Sequence, residues 1–132
     1  MSAALEQGLF SILSGNSPQT TAGSRIYPRL PQGVTFPALM YMRVATDRTQ
    51  SLDANVGVTV ATIVVECIAE SYSEAKTLAD EVRTILHGYS GSWSTLTCRN
   101  CKLDTETEES EQDGDRVTHW VTQVYRIWTN MD

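Results

Sequence analysis

The stretch VTVATIVVECIAESYSEAKTLADEVRTILHGYSG, residues 58–91, decides the fold because it runs from a strand pattern directly into a helix pattern. Residues 58–70 are rich in β-branched residues and predict a long strand with apolar side chains on both faces. In residues 71–91, Ser71 and Glu74 have the spacing of a capping box, which marks a helix start. An apolar stripe at helical period follows: Ala75, Leu78, Ala79, Val82, Ile85 and Leu86.

The flanking sequence repeats both patterns at lower strength. Apolar residues near helical spacing in 3–13 predict a short N-terminal helix. Alternating residues predict three further strands, at 38–44, 95–105 and 116–130. A chain of 132 residues is long enough for one domain, and we expect a single domain over 1–132.

Two polar stretches separate predicted strands. Residues 45–57 are polar and longer than a hairpin needs, which predicts a long loop. Residues 105–115 are acidic and contain Asp113-Gly114, which predicts a hairpin turn. The predicted fold class is therefore α+β. We expect a four-stranded, mostly antiparallel sheet with the N-terminal helix and one central helix on one face.

Charge is concentrated in the acidic stretch TETEESEQDGD. The chain has 16 acidic and 10 basic residues, and six of the acids lie in 105–115. Without these six, ten acids and ten bases remain, so the rest of the chain is neutral. No basic face for binding a nucleic-acid backbone is visible. No apolar run reaches membrane-spanning length and no export signal is visible, so we expect no membrane association.

Two stretches resemble metal or redox motifs. Residues 109–114 match the first half of an EF-hand loop, but its twelfth position is Trp120 instead of Glu. Cys98 and Cys101 have C-x-x-C spacing, but they lie in a predicted strand, where residues three apart face opposite sides. The only other cysteine is Cys67, and an odd, low count favours a reducing compartment. Ordinary thiols and a solvated turn are therefore favoured over a metal site.

Catalytic signatures are also absent from the sequence. GYSGS at 88–92 has Ser92 where a nucleophile elbow requires glycine. There is no phosphate-binding loop. We therefore expect no catalytic residues, no metal and no cofactor, and we expect that the chain is not an enzyme. A metal-dependent enzyme using the acids or the C-x-x-C cysteines stays the less favoured alternative.

The predicted sheet has a second apolar face that its own helices would leave uncovered. This face consists of side chains from 58–70 and from the last strand: Val64, Ile68, Trp120, Val124 and Trp128. In a chain this short, a neighbouring subunit is a natural cover for such a face. These residues are therefore the candidate subunit interface.

Several segments in a fixed order resemble a known family. They are GSRIYPRLPQG (23–33), FPALMYMRV (36–44), SLDANVG (51–57), SYSEAKTLADEVRTILHGYSG (71–91) and VYRIW (124–128). This combination resembles the tail-completion and tail-terminator proteins of long-tailed bacteriophages, which include head–tail joining proteins. The similarity covers nearly the whole chain, while the acidic stretch lies outside the pattern.

The resemblance implies a structural virion protein, made in the host cytoplasm, at the junction of head and tail. It implies a homo-oligomer, a six-fold ring on the tail tube, which stops tube polymerisation and docks the head connector or neck protein. DNA would pass through the ring without sequence-specific binding. The alternative is a tail-tube or connector subunit of related fold.

The resemblance also gives the two polar stretches a candidate role. We expect them to contact the lumen or neighbouring rings, where an acidic lining would repel DNA. The candidate contact residues are Arg48, Asp53, Glu106, Glu108, Glu109, Glu111, Asp113 and Asp115.

Overall fold

A computed structural model of the chain describes residues 4–14, 26–27, 36–50, 55–93 and 96–130. These residues form two helices and six strands. The helices are α1 (Ala4–Ser14) and α2 (Tyr72–Leu86). The strands are β1 (Ile26–Tyr27), β2 (Ala38–Gln50), β3 (Asn55–Ala69), β4 (Gly91–Trp93), β5 (Leu96–Asp113) and β6 (Arg116–Asn130).

The strands form one mixed sheet in the order β1-β2-β3-β6-β5-β4. The β1–β2 pair is parallel and the other four pairs are antiparallel. The α+β class fits the structure, but the prediction of a four-stranded sheet is wrong. The two additional strands, β1 and β4, are two and three residues long, which is too short to show an alternating pattern in the sequence.

Both predicted polar stretches are mostly strand. β2 continues to Gln50 and β3 begins at Asn55, so the long loop predicted at 45–57 is wrong over its described residues. Likewise β5 continues to Asp113, so the acidic hairpin turn predicted over 105–115 is wrong in its extent and is limited to Gly114 and Asp115. The polar residues stay extended because a neighbouring strand satisfies their backbone hydrogen bonds, which outweighs their low strand propensity. Residues 51–54 lie outside the described part of the chain.

Helix α2 spans Tyr72–Leu86 between the capping residues Ser71 and His87, within the predicted stretch 71–91. The Ser71 carbonyl oxygen accepts a 3.1 Å hydrogen bond from the Ala75 amide, but the Ser71 side chain makes no capping hydrogen bond. The predicted capping box is therefore not formed. After the helix, Gly88 has a φ of +83°, which glycine adopts without strain. Its amide donates a 2.6 Å hydrogen bond to the Cys101 carbonyl oxygen, which ties the helix end to β5.

The core lies between the helices and one face of the sheet, here called the helix face. Buried α2 residues (Ala75, Leu78, Ala79, Val82 and Leu86) pack there with Leu9 and Leu13 of α1. The sheet contributes the residues that alternate inward on β3 and β6, including Ile63, Val65, Val121, Tyr125 and Ile127. Full burial of one such aliphatic side chain contributes about 1.5–3 kcal/mol. The opposite surface is here called the second face.

Four irregularities bend the outer strands, and one of them lies between Thr49 and Gln50 of β2. The register of β2 shifts between Arg43 and Ala45, and that of β5 shifts between Leu103 and Thr105. Arg43 and Leu103 stand in the same row across the sheet, because their partners on β3 and β6 pair with each other. A further shift on β5 follows Cys98. An extra residue at such a bulge bends the strand and increases its twist.

Candidate functional site

The acidic stretch lies along β5, and its two faces have different surroundings. Residues opposite Gln123 and Val121 on β6 point to the helix face, which places Glu106 and Glu108 there. Glu109 stands opposite Trp120 on the second face. Glu111 follows on the same side, so the alternation divides these four acids equally between the two faces.

The turn itself contains only two residues. Asp113 pairs with Arg116, and Gly114 and Asp115 connect them. Gly114 has a φ of +64°, as the first central residue of a tight hairpin requires. Asp115 is exposed. The predicted turn signal was therefore right about the place of the turn and wrong about its length.

Lys76 of α2 forms ion pairs with the two glutamates on the helix face, Glu106 and Glu108. Its Nζ lies 2.7 Å from Glu108 Oε2 and 3.6 Å from Glu106 Oε1. The Tyr72 hydroxyl donates a 2.9 Å hydrogen bond to Glu108 Oε1. Hydrogen bonds from Lys76 and Tyr72 lower the pKa of Glu108, and the same carboxylate raises the pKa of both donors. The Glu108 carboxylate thus fixes the start of α2 against β5.

A buried glutamine connects α2, β5 and β6. Gln123 is fully buried, and its Nε2 donates hydrogen bonds of 2.9 Å to the Ala79 carbonyl oxygen and 2.8 Å to Glu106 Oε2. Its Oε1 accepts a 2.9 Å hydrogen bond from the Tyr125 hydroxyl, which is also buried. Gln123 was not among the predicted site residues, because a lone glutamine in an apolar strand does not indicate its partners.

The predicted subunit-interface residues all lie on the second face. Val64 pairs directly with Val124, and Ile68 pairs with Trp120. Trp128 pairs with Val60 farther along the same strands. Ile68 is fully buried within the chain, while the other four predicted residues are half-buried. The period-2 pattern therefore predicted that these side chains share one face of the sheet, but it did not show that Ile68 is already covered.

A single carboxyl group interrupts the apolar residues of the second face. Glu66 lies between the Val64 and Ile68 rows, and the Thr122 hydroxyl donates to its Oε1 at 3.5 Å. Burial raises the pKa of Glu66, the Thr122 hydrogen bond lowers it, and the charge of Glu109 raises it further. The row beside it is wholly apolar across three strands: Met42, Val64 and Val124.

Of the two remaining predicted contact residues, Arg48 lies at the other end of the sheet. Arg48 is in β2 and pairs with Thr59. Asp53 lies outside the described residues. The end of β2 at Gln50 is at the opposite end of the sheet from the turn between β5 and β6, because β2 and β5 run in opposite directions. The structure therefore does not bring Arg48 together with the acids of β5.

The cysteines have no arrangement for metal or redox chemistry. The bulge after Cys98 brings Cys98 and Cys101 to the same buried side, so the prediction that they face opposite sides is wrong. Burial raises the pKa of Cys98 to about 11 and that of Cys101 to about 12. A protonated thiol is a poor nucleophile and a poor metal ligand. Within the described residues, no group of three His, Cys, Asp or Glu side chains could hold a metal ion.

His119 has a structural environment. Its ring lies edge to face with Tyr72, with 5.9 Å between the ring centroids. Both rings line an open groove of about 310 Å³ beside Glu108, Glu109 and Ser110. Neither described helix has the length and apolarity needed to span a membrane.

Comparison with known proteins agrees with a structural role. The family described as Tail completion protein gp17 matches residues 7–130, and the chain belongs to this family. It is therefore a structural protein of a phage tail, located in the virion, and not an enzyme. No curated protein matches the sequence significantly.

A solved structure shares the fold. It is titled "Virion of native gene transfer agent (GTA) particle", and the superposition has a TM-score of 0.75 at 15% sequence identity. The match covers 96% of this chain and 94% of that chain. The described elements therefore form a fold that a chain of that virion particle also has.

Proposed function

We propose that the chain forms a six-fold ring on the end of the tail tube. The ring terminates tail polymerisation and joins the tail to the head connector or neck protein, and DNA passes through its centre. The observation that carries the proposal is the family match over residues 7–130, nearly the whole chain. The proposal treats residues 1–132 as a single tail-completion domain.

The second face supports the proposed oligomer. Met42, Val64 and Val124 form an apolar row across three adjacent strands, and the first of them is 38% exposed. Trp120 and Trp128 lie on the same face of β6, four residues to either side of Val124, and are half-buried. Burying such a row against another copy removes apolar area from water at about 25 cal/mol per Å². We propose that a neighbouring copy covers it.

Two exposed acids on the second face support the proposal that DNA passes through the ring without adhering to it. Glu109 and Glu111 are exposed, and no side-chain cation pairs with either of them among the described residues. The whole chain has a net charge of −6. We propose that these acids face the passage or a neighbouring ring, where like charge keeps the DNA backbone from binding. Glu106 and Glu108 contribute less, because Lys76 already offsets their charge.

The first experiment is the mass of the purified protein in solution, with negative-stain images of the same sample. Six copies of the 14.6 kDa chain have a mass of 87.6 kDa. Val124→Lys and Met42→Lys should each prevent assembly, because each places a charge in the apolar row. Thr77→Lys adds the same charge on the exposed side of α2 and should leave assembly intact.

Assembly of the same variants is then measured on purified tails, which also detects a ring that closes only on the tail. A folded Val124→Lys chain that assembles like the wild type would contradict the proposed role of the second face. Copy number distinguishes the alternative of a tube or connector subunit. One ring per particle fits a tail terminator, whereas many rings along each tail would identify a tube subunit.

A further inference from the structure

The second face has charged side chains on both sides of its apolar row. Residues paired across the strands share a face, so the registers place each charge relative to that row. Glu66 lies one row away in the direction of the β5–β6 turn, and Glu109 lies two rows away in the same direction. Lys102 and Arg126 pair with each other one row away in the opposite direction. The apolar row therefore separates the acids of this face from its bases.

The two bases have no acidic partner in their own chain. Lys102 and Arg126 are both exposed, and across the described ranges neither forms an ion pair. The Arg126 guanidinium lies 5.4 Å from the centre of the Trp128 ring, which keeps this cation on the second face. Adjacent like charges on neighbouring strands destabilise each other. An acid from outside the chain would relieve this repulsion.

The two acids likewise have no basic partner in their own chain. Glu66 is half-buried, and its hydrogen-bond donor is the neutral Thr122 hydroxyl. Glu109 is exposed and lies in the next row, where its charge repels that of Glu66. Neither forms an ion pair with a Lys or Arg of the described residues. The second face therefore has unpaired acids and unpaired bases at matching distances from its apolar row.

A second copy of the same face supplies the missing partners if its strands run antiparallel to those of the first. A two-fold axis above the apolar row and parallel to it stacks each strand on the same strand of the other copy, with the direction reversed. The basic side of one copy then faces the acidic side of the other. Arg126 lies opposite Thr122 of the second copy, beside Glu66, and Lys102 lies one row from Glu109 of the second copy.

The spacing of stacked sheets allows these contacts. Face-to-face sheets lie about 10 Å apart and adjacent strands about 4.8 Å apart, which the long stems of arginine and lysine can cross. Aligned sheets are rotated by about 30°, which moves a side chain one row from the axis by only about half a row. The same stacking places Trp128 of each copy over Trp120 of the other and the apolar row over itself.

The charges disfavour the other two-fold arrangement of these faces. If the axis ran along the strands, each row would lie over the same row of the second copy. Glu66 would then lie beside Glu66 of the second copy, and Arg126 beside Arg126. Like charges placed together across an interface suppress binding. The antiparallel arrangement is therefore the one that the charges select.

We propose that two copies of the chain in solution pack second face to second face around this axis, with Arg126 and Lys102 of each copy against Glu66 and Glu109 of the other. The pair rests on the covering of the second face by another copy, proposed above, and identifies the charges that orient that copy. A two-fold contact closes at two copies, so it describes the chain before it joins a tail. On the tail, the adjacent copy of the ring replaces the second copy on this face.

Charge reversal tests the pair. Two copies of the 14.6 kDa chain have a mass of 29.2 kDa, which sedimentation equilibrium distinguishes from a monomer and from a ring of six. Glu66→Arg and Arg126→Glu each bring like charges together and should raise the dissociation constant of the pair on the order of tenfold or more. The double variant Glu66→Arg/Arg126→Glu exchanges the charges and should restore pairing, which a loss of folding would not allow. Glu74→Arg makes the same substitution on the exposed side of α2 and should pair like the wild type.

The outcomes separate the pair from the ring. A wild-type chain that stays monomeric in solution, or that assembles there directly into rings of six, would overturn the pair. Pairing that neither reversal weakens, or that the double variant does not recover, would overturn it as well. Ring assembly on purified tails is measured separately, so these results leave the ring in place. A wild type that pairs as described in solution but forms no ring on tails would overturn the ring alone.

Discussion

At the scale of single residues, the surroundings of two glutamates shift their pKa values in opposite directions. Burial in the second face raises the pKa of Glu66, and the Thr122 hydroxyl offsets this only in part. Hydrogen bonds from Lys76 and Tyr72 lower the pKa of Glu108. Folding therefore disfavours the ionised form of Glu66 and favours the ionised form of Glu108.

These shifts predict opposite effects of removing the charge. A carboxyl whose folded pKa is raised costs stability above its unfolded pKa, so Glu66→Gln should raise the free energy of unfolding at neutral pH. A carboxyl whose folded pKa is lowered contributes stability that is lost as pH falls through that pKa, so Glu108→Gln should lower it. Both differences should shrink as the pH falls and disappear once each carboxyl group is protonated in the folded chain, which for Glu108 requires a lower pH than for an ordinary glutamate.

Urea denaturation from acid to neutral pH measures both effects. Glu111→Gln is the control, because it removes one exposed charge from the same hairpin. Equal changes in all three variants would mean that net charge alone governs them. Such a result would contradict the assigned surroundings of Glu66 and Glu108.

At the scale of elements, Gln123 links α2 to the central strands. Gln123→Leu removes its hydrogen bonds to the Ala79 carbonyl and Glu106, and it leaves the buried Tyr125 hydroxyl without its acceptor. An unsatisfied buried polar group costs about 1–3 kcal/mol. We expect the free energy of unfolding to fall by about that amount, measured by chemical denaturation.

The double variant Gln123→Leu/Tyr125→Phe separates this effect from packing. Removing both partners leaves neither polar group unsatisfied, so the double variant should be more stable than Gln123→Leu alone. If the double variant is instead less stable by the sum of the two single losses, the Gln123–Tyr125 hydrogen bond does not couple these residues.

Sequence patterns predicted the elements that bury an apolar face. The α2 stripe and the alternation in 58–70 and 116–130 record burial directly, because each places apolar residues at the period of its element. The extension of β5 to Asp113 could not be predicted in this way. Its side chains there are Thr, Glu, Ser and Gln, and its pairing depends on β6 and on Lys76, which are distant in sequence.

In the candidate site, the alternation of strand residues predicted some positions and not others. Period-2 alternation placed Val64, Trp120 and Val124 on one face, because strand geometry fixes the side of each residue. The alternation gave the wrong relative orientation for Cys98 and Cys101, because a bulge lies between them and no residue type in the sequence indicates that bulge. It also failed to separate Glu106 and Glu108 from Glu109 and Glu111, since a predicted turn has no faces.

At the scale of the whole molecule, this division of the acids determines which charges an assembled particle would present to DNA. Lys76 offsets the helix-face pair, Glu106 and Glu108. Glu109 and Glu111 point to the second face. The two pairs are matched in charge, strand and spacing, so each double variant is a control for the other.

We predict that Glu109→Gln/Glu111→Gln slows DNA ejection from complemented particles. Loss of the repulsive charges would let DNA adhere during passage, and the defect should fade as salt is raised because screening weakens the repulsion in the wild type as well. Glu106→Gln/Glu108→Gln should lower thermal stability instead, because it removes the carboxylate charges beside Lys76 and replaces one acceptor oxygen of each residue by an NH2 donor facing Lys76, Tyr72 or Gln123. Equal ejection rates for the wild type and both variants at every salt concentration would mean that these acids do not act on DNA. Slowed ejection only in the Glu106→Gln/Glu108→Gln particles would show that the fixed position of β5, and not its charge, governs passage.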